Sequence, residues 1–327
     1  MSSVQPKVWF ERPVPPDLVD AVSARATILG PASATPDEPY AALGEAEGII
    51  ASVHRYDAEL LDLAPHLRVI SRTGIGYDKV DVAAATQRGI AVCNTPDGPT
   101  ISTAEHTVML MLMVAKNVKQ SEAALRAGGS DFYARHVGIE LREKVLGLVG
   151  FGRIARRVAD IAMGLGMRIL AFDPFLPPDT FPDGSRATSL PELLGAADVV
   201  SVHVPLTEDS EGLFDDEAFL AMKPGAVFIN TARGRLVDLD ALAAALDSGR
   251  LFGAGLDVTD PEPLPPDHAL FQRPDVIVTP HVAAGTADAK RRILWMAFDQ
   301  VIQLLNGERP ADLVNPEVWD RLTPSVS

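Results

Sequence analysis

Residues 144–155, KVLGLVGFGRIA, constrain the fold of this chain more than any other stretch. Val145 to Val149 is a short apolar run with the β-branched character of a strand buried on both faces. Glycine punctuation follows and leads into alternating basic and apolar residues, so the pattern predicts a strand, a tight turn and a helix start. Gly150, Gly152 and Ala155 fall at the GxGxxG/A spacing. The first glycine permits the turn, the second lets backbone approach a pyrophosphate, and the third small residue lets helix pack on strand. The free amides at that helix start would face the phosphates.

A second apolar strand, Arg168 to Phe172, ends in Asp173, 23 positions after Gly150. That is the place of an acidic residue on the adenine ribose. A carboxylate there accepts hydrogen bonds from the ribose hydroxyls and repels a 2′-phosphate, which predicts NAD rather than NADP. Arg168 precedes the strand interior and reads as a solvated charge.

With 327 residues the chain exceeds the usual size of a single core, so two domains are expected. The formal charge of −15 argues against nucleic acid or an anionic membrane surface as partner, since either needs a basic patch. Cys93 is the only cysteine, which excludes an intrachain disulfide and a zinc cluster of cysteines. No metal is expected, and the cytoplasm is the expected compartment. The N-terminal MSSVQPKVWF lacks the regions of a signal peptide, and the apolar run Val108 to Ala115 is too short to span a bilayer.

The first hundred residues alternate short strands, near Val8 to Phe10, Thr27 to Leu29, Gly48 to Ser52, Arg68 to Ser71 and Ile90 to Cys93, with helical or polar segments. Such alternation implies a parallel sheet covered by helices. The glycine-rich RTGIGYDKVD (Arg72 to Asp81) reads either as an anion-binding loop or as a plain turn before a helix. TPDGP (Thr95 to Pro99) marks a boundary. Ser102 and Glu105 fit a capping box for one long helix whose apolar residues run from Val108 to Leu125. Ala127 to Glu143 is a polar connection. From Val145 the alternation resumes with strands near Val145, Ile169, Val199, Val227, Ala254 and Val276, the pattern of a doubly wound dinucleotide domain. A second long helix, Ala287 to Asn306, would return the chain to the first domain.

Three polar residues follow strands of the second domain: Arg233 in NTARGRLVD, Glu262 in DVTDPEPLPPD and His281 in TPHVAAGT. Open α/β sheets bind ligands on that edge. For hydride transfer, arginine's planar fork would hold a carboxylate and carbonyl, and histidine would serve as acid/base near neutral pH. A carboxylate behind the histidine would fix its tautomer and favour its protonated form. Singly each also reads as a surface arginine, a turn glutamate or a capped loop histidine; the set of three points to function.

These residues closely resemble the D-isomer-specific 2-hydroxyacid dehydrogenases, phosphoglycerate dehydrogenase-like members in particular. RTGIGYDKVD, NTPDGPTISTAEHT, LGLVGFGRIA, SVHVPLT, NTARGRLVD, LDVTDPEPLP and TPHVAAGT occur in the family's order over nearly the whole chain. The resemblance implies an α/β fold of two doubly wound parallel-sheet domains: a Rossmann NAD domain, 100–286, inserted into a flavodoxin-like substrate domain, 1–99 plus 287–327. It also implies a homodimer built on the long helix beginning near Ser102. By resemblance Arg233 orients the substrate, His281 is the acid/base and Glu262 its partner. Arg153 and Ile154 would lie at the pyrophosphate, Asp173 at the ribose, and Val204 and Pro205 beside the adenine. Thr231, Ala232 and Asp257 would surround the nicotinamide, with Ala283 and Ala284 beyond His281. The amides of Gly74, Ile75 and Gly76 would meet the substrate carboxylate, with Arg72 at a position that serves phosphate binding in phosphoglycerate dehydrogenases.

Some positions depart from the family pattern. Ala155 replaces the commoner third glycine, and Asp131 to His136 (DFYARH) is unlike the tryptophan and basic cluster common there, which weighs against a phosphorylated substrate. The chain ends where regulatory domains begin in long phosphoglycerate dehydrogenases. Val53 to Tyr56 (VHRY) is expected to help shape the side-chain pocket with Arg72. The expected function is NAD-dependent interconversion of a 2-oxo acid and a D-2-hydroxy acid. Its rival is a corepressor-like NAD-sensing protein, which would bind NADH and turn over poorly.

Overall fold

A computed structural model describes residues 5–30, 38–182, 185–186 and 189–322. The chain divides into two compact units, Met1–Pro99 with Ala287–Ser327, and Thr100–Thr286.

The first unit is built on five parallel strands, β1 (Lys7–Phe10), β2 (Thr27–Leu29), β3 (Gly48–Ala51), β4 (Val69–Arg72) and β5 (Ala91–Cys93). They lie in the order β2-β1-β3-β4-β5. Successive side chains point to opposite faces, so one strand feeds two cores. Trp9, Ile49 and Ile70 pack with Leu60, Leu61, Ala84 and Ala85 on one face; Val8, Phe10, Ile50 and Val69 pack with Ala297, Phe298 and Val301 on the other. The latter three belong to the helix Ala287–Leu305, which brings the C-terminal segment back to this sheet. Asp57 and Asp81 cap the two helices of the opposite face, each accepting from an amide three residues on.

The second unit holds six parallel strands, β6 (Val145–Val149), β7 (Arg168–Phe172), β8 (Val199–Val202), β9 (Ala226–Asn230), β10 (Leu251–Leu256) and β11 (Val276–Val278), ordered β11-β10-β9-β8-β6-β7. In both sheets the chain reverses direction beside its first strand, between β1 and β3 and between β6 and β8. A doubly wound sheet offers a ligand crevice at that reversal, outside the carboxyl ends of the strands. Leu110, Met111, Val158 and Ala162 cover one face of the second sheet, while Leu193, Phe219, Leu242 and Leu246 cover the other.

Two sequence expectations are corrected here. The helix begins at Thr100, and Ser102 lies inside its first turn, where its hydroxyl pairs with Thr286 Oγ1 at 2.6 Å instead of capping an amide. The apolar run to Leu125 is not one helix: Thr100–Ala115 and Val118–Arg126 are separated at Asn117, which takes a left-handed φ of +47°. Asparagine enters that region more readily than other non-glycine residues. A returning segment meets the break: Ile139 N donates to the freed Ala115 O at 2.7 Å, and the Asn117 side chain donates from Nδ2 to Val137 O. The expected polar connection also carries a short helix, Phe132–Arg135. No helix among the described residues is long and apolar enough to cross a membrane.

Candidate functional site

The glycine turn after β6 has the geometry a nucleotide needs. Gly150 has φ +88°, and a Cβ there would lie 2.8 Å from His203 O, so both conformation and space select glycine. Gly152 caps the helix Arg153–Gly164, and a Cβ on it would meet no atom within 4 Å. That open space lies outside the helix N-terminus, where amides await an anion. Arg153 and Ile154 form the first turn, and Ala155 is fully buried beneath it.

Asp173 follows β7, and its two oxygens each accept one backbone amide, Oδ2 from Phe151 and Oδ1 from Phe175, both at 3.0 Å. Each oxygen keeps an acceptor direction, enough for two ribose hydroxyls. Half-buried Val204 and exposed Pro205 follow β8. Thr231 follows β9 and is buried, with its hydroxyl 2.9 Å from that of Thr107. Ala232 N donates to Asn230 Oδ1 at 2.9 Å. A dinucleotide therefore fits the residues present.

Arg233, Glu262 and His281 follow β9, β10 and β11, which are neighbours in the sheet. Sheet order brings together residues that no local spacing could. Glu262 Oε1 lies 2.7 Å from His281 Nδ1, and both side chains remain partly open to solvent. The Arg233 guanidinium is half-buried and donates from Nη1 to Ala232 O at 2.7 Å.

Asp257 is the third residue expected, with Thr231 and Ala232, around the nicotinamide ribose and carboxamide. It is 0% exposed and lies behind the His281 loop. Its backbone oxygen accepts from His281 N at 2.7 Å, Oδ1 accepts from Val282 N and Thr279 Oγ1, and Oδ2 accepts from Ala283 N at 2.8 Å. Burial alone would raise this carboxyl, but the hydrogen bonds from His106, Thr279, Val282 and Ala283 outweigh it and hold it below the usual carboxylate range. His281 itself has φ +52°, a conformation these bonds impose. Ala283 is buried and Ala284 half-buried beyond it.

His106 and Thr279 escaped the sequence reading. Thr279 spends its only hydroxyl hydrogen on Asp257 Oδ1, at 2.6 Å, so His106 Nε2, 3.0 Å from Thr279 Oγ1, must be the donor to it. His106 lies in the helix Thr100–Ala115, and nothing local in the AEHT stretch says which loop it supports.

In the first unit Arg72 closes β4, and the loop after it is bent by Gly74 at φ +140°. Gly74 N already donates to Thr95 Oγ1 at 2.7 Å and to Arg72 O at 3.0 Å, which removes it from the three amides expected for a carboxylate. Among the described residues the amides of Ile75 and Gly76 have no protein acceptor. No group of three or more His, Cys, Asp or Glu among the described residues is placed to hold a metal ion.

Comparison with known proteins gives concordant matches. The model of the D-isomer specific 2-hydroxyacid dehydrogenase NAD binding domain matches residues 108–283. A glyoxylate reductase of Thermofilum pendens is 40% identical over 271 residues, which cover 81% of this chain and 79% of that protein. A D-3-phosphoglycerate dehydrogenase of Archaeoglobus fulgidus is 38% identical over 268 residues, 82% of this chain and 51% of that protein. The chain thus spans about half the length of the phosphoglycerate dehydrogenases it matches. Among solved structures, a protein from Thermus thermophilus superposes with a TM-score of 0.85 at 38% identity, covering 94% of this chain and 99% of that one.

Proposed function

Because this chain belongs to the D-isomer-specific 2-hydroxyacid dehydrogenase family, we propose that it interconverts a small 2-oxo acid and the corresponding D-2-hydroxy acid with NAD. The observation that carries the reading is the 2.7 Å pair of His281 and Glu262 at the carboxyl edge of a dinucleotide-type sheet. Nδ1 of His281 is committed to Glu262, which leaves Nε2 to face the substrate oxygen. In reduction Nε2 gives its proton to the carbonyl oxygen, and in oxidation it takes the hydroxyl proton. Glu262 fixes the orientation and tautomer of the ring. Arg233 holds the substrate carboxylate by its planar fork. In the five-stranded unit, taken by itself, the amides of Ile75 and Gly76 are the donors of the glycine loop left for an anion. The nicotinamide, when bound, supplies or accepts the hydride.

Gly150, Gly152, Arg153 and Ile154 would hold the pyrophosphate, and Asp173 the adenine ribose. The Asp173 charge favours NAD over NADP. Thr100–Thr286 is assigned to the cofactor and the five-stranded unit to the substrate. A homodimer is also proposed, on a surface that differs from the one first expected. The helix Thr100–Ala115 spends most of its apolar side chains on its own unit, whereas Val118–Arg126 buries none. Leu125, Tyr133 and Val137 are 65%, 98% and 68% exposed, an apolar surface suited to a second copy. Sedimentation of Leu125→Glu with Tyr133→Glu against wild type tests it, and an unchanged dimer or a monomeric wild type would refute it. The single cysteine suits a reducing cytoplasmic compartment, and with a formal charge of −15 a small anionic substrate must be held by local arginines and backbone amides.

The function is tested by NADH consumption on glyoxylate, hydroxypyruvate and phosphohydroxypyruvate, with His281→Ala as control. Turnover lost in the variant supports the reading. Tight NADH binding with no turnover on any acid overturns it.

A further inference from the structure

Glu11 follows β1 directly and is 4% exposed, although glutamate is seldom buried without partners. Its partners are unusual in being consecutive. Glu11 Oε2 accepts from Ser52 N and Oε1 from Val53 N and, at 3.0 Å, from His54 N. Oε2 also accepts from the buried Tyr56 hydroxyl at 2.9 Å. Three successive amides make a concave site for an anion, and here the protein's own carboxylate fills it.

The place in the fold gives this cluster meaning. β1 and β3 flank the point at which the first sheet reverses, and Glu11 follows one strand while 52–56 follows the other. Ligands of doubly wound sheets bind in that crevice. The second unit uses the same device: Asp257 follows β10 and gathers the amides of Val282 and Ala283 after β11, fixing the loop that carries His281. With its amides turned inward to Glu11, the 52–56 loop has side chains left to offer a ligand. Val53 and Arg55 are exposed, and Arg55 has no partner among the described residues. Burial chiefly, and the Glu11 charge next, push the Tyr56 phenol well above its ordinary range, while the Arg72 charge acts in the opposite direction. Arg72 and the Glu11 cluster therefore share one electrostatic neighbourhood.

We infer that Glu11 is a positioning residue: by holding the amides of Ser52, Val53 and His54 it fixes the loop whose side chains discriminate among 2-oxo acids. The inference rests on the dehydrogenase reading given above. It concerns choice of substrate and leaves nucleotide binding, which belongs to the other unit, unaffected.

The test compares wild type, Glu11→Gln and Tyr56→Phe in two measurements. Amide hydrogen exchange without substrate reports the loop. The ratio of kcat/KM for 4-methyl-2-oxopentanoate or hydroxypyruvate to that for glyoxylate, which has no side chain, reports discrimination. Glu11→Gln keeps the volume but sets an NH2 group against amides. Its 52–54 amides should exchange about tenfold faster or more, and the kcat/KM ratio should shift by about tenfold, with the NADH Kd unchanged. Tyr56→Phe removes one donor at nearly constant volume and should move both readouts in the same direction by less; it carries the comparison if Glu11→Gln does not fold. Unchanged exchange, or faster exchange with an unchanged ratio, overturns the inference. A wild type that binds NADH but reduces none of the acids overturns the dehydrogenase reading, and the inference falls with it, a result recognisable without any variant.

Discussion

Glu262 Oε1 and His281 Nδ1 stand 2.7 Å apart, on loops that follow two adjacent strands. The pair leaves one imidazole nitrogen committed and the other open. Its two members should not contribute equally, because in the proposed mechanism His281 exchanges a proton with the substrate and Glu262 only orients and polarises it.

His281→Ala should lower kcat for reduction by about 10² to 10⁴, the usual contribution of a positioned acid/base. Glu262→Gln keeps a hydrogen-bonding group near Nδ1 but removes the charge, and should cost about tenfold to a hundredfold. Steady-state kinetics with NADH held saturating would show this order. A Glu262→Gln enzyme as active as wild type would remove Glu262 from the mechanism.

Gly152 and Gly150 should separate binding from folding. Gly152→Ala adds a methyl into space that holds no protein atom, at a φ of −77°, so unfolding free energy should stay within about 1 kcal/mol of wild type. NAD binding should nevertheless weaken about tenfold or more, since that space is where backbone approaches the pyrophosphate. Gly150→Ala meets His203 O and a left-handed backbone, and should lose about 1 to 3 kcal/mol of stability. Calorimetry of NAD binding beside urea unfolding distinguishes the two; parallel losses in both variants would refute the assignment.

Much of this was legible in the sequence because backbone conformation and strand burial leave local marks. The turn at Gly150, the strand ending before Asp173, and the polar residues after β9, β10 and β11 could all be placed from pattern. What stayed hidden depends on contacts distant along the chain. Asn117 interrupts an apolar run that reads as unbroken, because the segment satisfying its neighbours returns some twenty residues later. Asp257 was readable as a residue at the site, but its burial behind the His281 loop follows from pairing between β10 and β11. Glu11 had one available signal, a charge placed directly after a strand of buried residues. Its partners lie beyond β3 and could not be named in advance.

Asp173→Ser should turn the cofactor preference. Each Asp173 oxygen already takes one amide, so the serine removes two internal hydrogen bonds as well as the charge proposed to face the ribose. The KM for NAD should rise about tenfold or more, on the scale of a lost charged hydrogen bond of about 1.5 to 3 kcal/mol. The KM for NADP should fall, because repulsion of the 2′-phosphate is gone. Equal increases for both cofactors would mean that Asp173 only braces the glycine turn.

Asp257 carries a prediction with a definite sign in pH. Its folded carboxyl is held below the ordinary range, so the unfolded chain binds its proton first as pH falls. The stability it contributes is therefore complete above the unfolded value of about 3.9 by a unit or so, and is lost as pH drops through the folded value beneath it. Asp257→Asn cannot ionise, and its amide nitrogen must face at least one of the amides of Val282 and Ala283. At pH 7 the variant should be less stable by about 2 to 4 kcal/mol, the range for a buried charged network left unsatisfied. The gap should close as pH is lowered below about 4, since wild type then surrenders the advantage that the variant never had. Urea unfolding of both proteins between neutral pH and about pH 3 measures the gap. A gap that stays constant across that range would show that the carboxylate charge does not hold the His281 loop, and that shape alone does.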